Sequence, residues 1–295
     1  MRYGALGSNL AARCVEPITD ECRRGWRISA ITGRSKSVLF PLLSDAPGWP
    51  ALTSDSSVRN PVTLSLAERD LLSALSLYLA TKGTALRSAL RLRAPLTSEQ
   101  ALDLRIHYSN YFVNLLSAIE LIREGPAPTS RQFSDALDAA FSIPKFPNGA
   151  ENYAYIRELR NAIVHRGFDI ASAAHFAAGI PLLIAPSTIA NRGGNHHYKA
   201  FSYYVLGIVE RCEAVVGPTI ESHLSTLGLL ERAPDHQEVL SEFLELVDQS
   251  SVMPEWAKKM ARENMGEIDY KVSHLTSIAK LRDLLKPASV VPNSA

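Results

Sequence analysis

LSLAERDLLSALSLYLATKG, residues 64 to 83, is where the chain first acquires a helical period. Leu64, Ala67, Leu71, Leu72, Leu75 and Leu79 recur at intervals of three and four, so they share one face of an α-helix. Thr63 or Ser65 stands where a capping hydroxyl is needed, and Gly83 is expected to end or bend the helix before TALRSALRLR.

The same period continues downstream. Thr97 or Ser98 opens a second helix, TSEQALDLRIHYSNYFVNLLSAIELIREG, aromatic in its middle and stopped by Gly125 and Pro126. A shorter helix follows at SRQFSDALDAAF, then a turn, SIPKFPNG. The next helix is expected from about Ala150 to Arg166, with Gly167 as its left-handed exit. Another should span Tyr198 to Leu227, with a kink at Gly217 and Pro218. HQEVLSEFLELVDQ and PEWAKKMARENMGEIDYKVSHLTSIAKLRDLL supply two or three more, and KPASVVPNSA reads as a frayed tail. Without βαβ alternation or a fixed-period repeat, the expected class is mainly α, an antiparallel helical bundle.

Upstream of Leu64 the pattern is lost. Pro17, Pro41, Pro47, Pro50 and Pro61 stand among Ser, Asp and Gly, and WRISAITGRSKSVLFPLL offers at most one or two short strands. The chain therefore divides into a less regular N-terminal arm (1–63), a helical bundle (64–230) and a C-terminal helical extension with its tail (231–295).

Composition narrows the function classes. A chain of 295 residues can bury a large core, and its 46% hydrophobic and 21% charged content is that of a globular protein. A formal charge of +1 gives no whole-molecule attraction to polyanions, so a nucleic-acid partner would need a local basic patch. Cys14, Cys22 and Cys212 are too scattered for a disulfide framework or a metal knuckle and read as reduced thiols of a cytoplasmic protein. MRYGALGSNLAARCVEP lacks the apolar core of a signal peptide, and GALGSNL lacks the preceding strand of a dinucleotide loop. AAHFAAGIPLLIAPSTIA, Ala173 to Ala190, approaches spanning length but carries His175, Gly179, Pro181 and Pro186; it is expected to be a buried connection, not a membrane span.

The candidate chemistry lies in RELRNAIVHRGFD, residues 157 to 169. At 100° per residue, Tyr155, Ile156, Leu159, Ala162 and Ile163 form the core arc, and Arg157, Glu158, Arg160, Asn161, Val164 and His165 the opposite one. Arg157, Asn161 and His165 line up at intervals of four, and Arg160 can bend toward them. A simpler reading is available: cations in a helix's last turn complement its dipole. Arg192 and His197 in NRGGNHH repeat the arginine-to-histidine spacing, so spacing alone selects nothing. Context separates the two, because the first pair begins with RN and sits late on an amphipathic helix that follows two long ones.

In that context Arg160, Asn161 and His165 resemble the RNxxxH signature of the HEPN superfamily, helical-bundle proteins that include many prokaryotic toxin and phage-defence ribonucleases. At the level of helix order the resemblance covers Leu64 to Leu227. It implies a metal-independent endoribonuclease with no cofactor, acting on RNA in a composite cleft between two protomers of a homodimer, and held by an antitoxin or regulatory protein partner. His165 would be general acid or base, Arg160 the clamp on phosphate, and Asn161 an orienting amide. These types suit attack by an RNA 2′-hydroxyl, which needs proton transfer near neutrality and stabilised charge on the phosphorus oxygens. One histidine serves one end of the reaction, so a second protomer is chemically useful and would also cover Val164. In one HEPN subgroup a tyrosine stands two residues after the histidine; here that position is Gly167. Glu120 and Arg123 near the end of the second helix form no recognisable family pair.

The competing expectation is a non-catalytic HEPN-like binding or scaffold protein that recognises nucleotide, RNA or a protein. Arg87 and Arg91, with Arg93 beside them, and Arg157 on the motif helix are further candidate contacts to an RNA backbone, with a solvated helix face as the plain alternative. His196 and His197 beside Gly193 and Gly194 lack a third metal ligand. Tyr108, Tyr111, Phe112, Tyr203 and Tyr204 read as core or interface aromatics on helices, and Cys212 as a buried thiol.

Overall fold

The structure, a computed structural model, describes residues 63–264 and 269–290. The expected N-terminal strands, Cys14, Cys22, GALGSNL and the end of the tail lie outside these residues. All of the described residues belong to one compact unit, Val58–Ala295.

The described residues are mainly helical. Strand β1 (Thr63–Leu64) leads into α1 (Leu66–Ala89). Ser65 caps α1 in a reciprocal box: its hydroxyl accepts from the Glu68 N–H, and the Glu68 carboxylate accepts from the Ser65 N–H at 2.9 Å. Thr97 and Gln100 build the same box at the start of α2 (Ser98–Arg123). After α3 (Thr129–Phe141), Asn148 caps α4 (Gly149–His165), which leaves through Gly167 at φ 67° as expected.

Gly83 does not end α1. The helix runs a further turn and a half past it because Lys82 is anchored, its ammonium 2.8 Å from both carboxylate oxygens of Glu213, and because Ala85, Leu86 and Ala89 are buried. Interior glycine costs a helix about 1 kcal/mol, less than the burial of Leu86 alone contributes.

The stretch from Ala173 to Ala190 also differs from its expectation as a buried connection. It forms an antiparallel hairpin of β2 (Ala174–Ala177) and β3 (Ile180–Leu183), then β4 (Thr188–Ala190), which pairs with β5 (His197–Lys199). His175, Phe176 and Ala177 of β2 are exposed, while Leu183, Ala185 and Ile189 reach the core. Because β5 takes residues 197 to 199, the next helix, α5 (Val205–Thr226), starts later than the expected Tyr198. Tyr204 is its N-cap residue, and Tyr203 is exposed, so neither is a helical core aromatic. α5 continues through Gly217 and Pro218.

Leu75 and Leu79 of α1, Tyr111, Phe112 and Leu115 of α2, Tyr155 and Leu159 of α4, and Ile208 and Val209 of α5 meet in one core. α2 and α4 run antiparallel within it. Arg105 lies 3.8 Å from Asp169, Glu120 pairs with Arg160, and Arg123 sits 4.9 Å over the Tyr153 ring, so contacts rise along one helix as they fall along the other.

After α5, β6 (Ala233–Pro234) pairs in parallel with β1. Asp235 caps α6 (His236–Gln249), which is followed by α7 (Glu255–Asn264) and α8 (Tyr270–Leu285). α8 packs against both α1 and α5, burying Ile278, Leu281 and Leu285, so the segment after Leu230 shares the core of the preceding helices. At Gly217 the approach is so close that a Cβ would lie 1.9 Å from the Leu285 carbonyl oxygen. Among the described residues, no helix is long and apolar enough to cross a membrane.

Candidate functional site

The last turns of α4 border an open cleft of about 480 Å³ lined by Glu158, Asn161, His165, Arg166 and Arg192. Two of the three motif residues therefore share it. Arg160 does not line the cleft. Its guanidinium is paired with the Glu120 carboxylate on α2, and its Nε is buried with no hydrogen-bond partner. The helical geometry explains the split: Arg160 stands 100° from Asn161 and 140° from His165, on the side of α4 that meets α2.

Glu158 belongs to the outer arc by helical counting, yet only 6% of it is exposed. Its neighbours cover it. Arg166 folds back so that its Nη2 donates to the Glu158 carbonyl at 2.9 Å and to the carboxylate at 3.4 Å. The Asn161 amide donates to the other carboxylate oxygen at 3.3 Å, and the Arg157 Nε lies 3.8 Å from that same oxygen. A buried carboxylate with these donors remains paired at the floor of the site.

Arg166 also donates from Nη1 to the Ala190 carbonyl at 2.6 Å, tying the end of α4 to β4. Two more contacts hold the β4–β5 hairpin along the helix: the Tyr155 hydroxyl donates to the Pro186 carbonyl at 2.7 Å, and the His196 ring lies 3.3 Å from the Glu151 carboxylate. Burial pushes the Tyr155 hydroxyl well above its ordinary pKa, so it stays a donor. The hairpin's tip is ordered by its own bonds, from the Gly194 N–H to the Asn191 carbonyl at 3.0 Å and from the Asn191 amide to the Asn195 side chain at 2.8 Å.

No family model, curated protein or solved structure matches this chain. The site is therefore read from its own residues.

His165 is exposed at the cleft edge and makes no hydrogen bond or ion pair among the described residues. Arg157 is half-exposed and paired with Glu158; it does not line the cleft. Arg87 donates to Thr84 at 3.1 Å in the last turn of α1, and Arg91 is exposed just beyond it; neither lines the cleft. Arg93 turns back onto the Leu92 carbonyl at 3.0 Å. His196 is spent on Glu151, and among the described residues no three His, Cys, Asp or Glu side chains are grouped as metal ligands. Tyr108, Tyr111 and Phe112 are core residues, and burial together with Glu213 pushes the Cys212 thiol far up, which removes it as a nucleophile.

Sequence reasoning missed Glu158, Arg166 and Arg192. Arg166 and Arg192 were in view, as the partner of a glycine exit and as half of a second arginine–histidine pair. Their place in the cleft depends on the β4–β5 hairpin, which no local sequence period reports.

Proposed function

We propose that the chain is a metal-independent endoribonuclease of the HEPN type, acting as a homodimer in a toxin or phage-defence setting. The observation that supports this most is the open cleft at the end of α4, where an unpaired, exposed imidazole and a carboxamide meet guanidinium groups. His165 takes the proton from the RNA 2′-hydroxyl or gives one to the leaving oxygen, and Asn161, oriented by its bond to Glu158, directs the bound phosphate. Arg160 can clamp that phosphate only when Glu120 releases it. An antitoxin or other regulatory protein would act by covering the same cleft.

The dimer reading draws on two exposed apolar side chains, one on each of α4 and α2. Val164 is 47% exposed and stands one turn beyond Arg160 on α4. On α2, Ile106 is 43% exposed and lies two heptads before Glu120, so it falls on the side that meets Arg160. A second copy laid over this side of α4 and α2 would cover both and bring a second His165 near the first.

A second reading is favoured by one contact. The Glu120–Arg160 ion pair occupies the guanidinium that the RNxxxH reaction needs, as in a non-catalytic HEPN-like protein that binds nucleotide, RNA or a protein partner. Incubating the protein with mixed RNA in excess chelator, beside Arg160→Ala and His165→Ala, separates the two. The nuclease reading expects cleavage by the wild type and a loss of about 10²–10⁴-fold in His165→Ala. Equal cleavage by all three, or retained RNA binding without cleavage, gives the second reading.

A further inference from the structure

The fold divides the first arginine–histidine pair of the sequence, Arg160 with His165, and gives His165 the arginine of the second pair, Arg192 with His197. His165 shares its cleft with Arg192, 27 residues later in the chain, while Arg160 faces away to Glu120. From this shared cleft we infer that Arg192, at the tip of the β4–β5 hairpin, is the cation that holds an RNA phosphate against His165. The inference rests on the proposed reading of the cleft as an RNA site and assigns within it a residue outside the RNxxxH signature.

Charge pairing carries the assignment. Each arginine on α4 or at its end already has a carboxylate: Arg157 and Arg166 share Glu158, and Arg160 has Glu120. Arg192 has none, and makes no hydrogen bond or ion pair among the described residues. The cleft therefore holds two guanidinium groups against one buried carboxylate, and the uncompensated charge is the one free to meet a ligand. A phosphate diester suits it, since a guanidinium fork matches two phosphate oxygens.

The backbone beneath Arg192 is set in advance. Three contacts fasten the hairpin to α4: Arg166 to Ala190, Tyr155 to Pro186 and His196 to Glu151. The turn is closed internally by Asn191, Gly194 and Asn195. Binding then leaves the backbone beneath Arg192 in place, which keeps the entropy cost of the clamp low. The arrangement leaves the Glu120–Arg160 pair intact while the site is occupied.

The test uses the full chain and two RNAs of one sequence, a fluorescent 2′-O-methyl oligoribonucleotide that cannot be cut by 2′-hydroxyl attack and the unmodified strand. Anisotropy over a salt series measures binding to the first, and cleavage in chelator is followed on the second. The variants are Arg192→Ala, Arg192→Lys and, as an equal change of charge outside the cleft, Arg282→Ala. Arg192→Ala should bind about tenfold more weakly and lower the slope of log K against log salt by about 0.7, the share of one phosphate on a single strand. Arg192→Lys should recover the slope but not the full affinity, and Arg282→Ala should match the wild type. Binding by Arg192→Ala equal to the wild type, or loss equal to that of Arg282→Ala, overturns the assignment. Loss of binding in Arg192→Ala alongside a wild type that cuts nothing leaves the clamp standing and removes the nuclease. A wild type that binds neither RNA removes both.

Discussion

At the scale of single residues, the most consequential group outside the cleft is Glu213. It is buried on α5 and takes three kinds of donor: both its oxygens lie 2.8 Å from the Lys82 ammonium, the Tyr111 hydroxyl donates to one at 2.8 Å, and the Ala288 N–H donates to the other at 3.1 Å. Desolvation and the adjacent Cys212 and Glu213 hold the Tyr111 hydroxyl far above its ordinary pKa, so it remains a donor at any ordinary pH. Removing Lys82 leaves a carboxylate in the core with its strongest partner gone. Lys82→Ala should lose about 3–5 kcal/mol in urea unfolding. A loss under about 1 kcal/mol would mean that water reaches Glu213. The same scale explains how the site was partly legible. Asn161 and His165 could be placed together by counting turns on one helix. The Glu120–Arg160 pair spans 40 residues and Arg192 comes from another element, and no local period reports either.

At the scale of elements, the junction of β1, α1 and β6 offers a pH-dependent contact. Burial alone would raise the Glu68 carboxyl, but Arg232 and the Ser65 donors outweigh it and bring the carboxyl below its ordinary value of 4.5. A carboxyl depressed in the folded state adds stability that is complete above its unfolded value and lost as pH falls through the folded one. Unfolding midpoints should therefore fall on acidification below about pH 4.5, while Glu68→Gln should start lower at neutral pH and decline less over that range. Parallel curves for the two proteins would show that Glu68 does not carry this term. Helices are readable because the 3.6-residue period and the caps Ser65 and Thr97 agree. The hairpins are not. β2 to β5 are three or four residues long, too short for an alternation to register, and β2 faces outward with His175 and Phe176 exposed. Gly83 does not break α1 because the burial of Lys82 before it and of Ala85 and Leu86 after it outweighs its intrinsic preference.

At the scale of the whole molecule, the helices after Leu230 close the core that the earlier ones open. Ile278, Leu281 and Leu285 of α8 each withdraw a large side chain from water, a contribution of about 1.5–3 kcal/mol apiece. A chain ended after Leu230 should bind an apolar dye such as ANS and lose its cooperative thermal transition, as followed by circular dichroism. A sharp transition at the full-length midpoint would make those helices an appendage. α7 is the exception: it buries no residue fully, packs on α6, and leaves Trp256 68% exposed.

The contact between Gly217 and the Leu285 carbonyl, with Ala288 donating to Glu213 just beyond it, also sets an order of events during synthesis. A ribosome that has delivered α1 through α5 has built a slot whose floor is glycine and whose wall is an incompletely bonded carboxylate. That slot stays wet until α8 arrives to fill it. For the interval between, the nascent protein presents oily surface to its surroundings, and the time needed to translate some sixty residues sets how long a chaperone would have to stand guard.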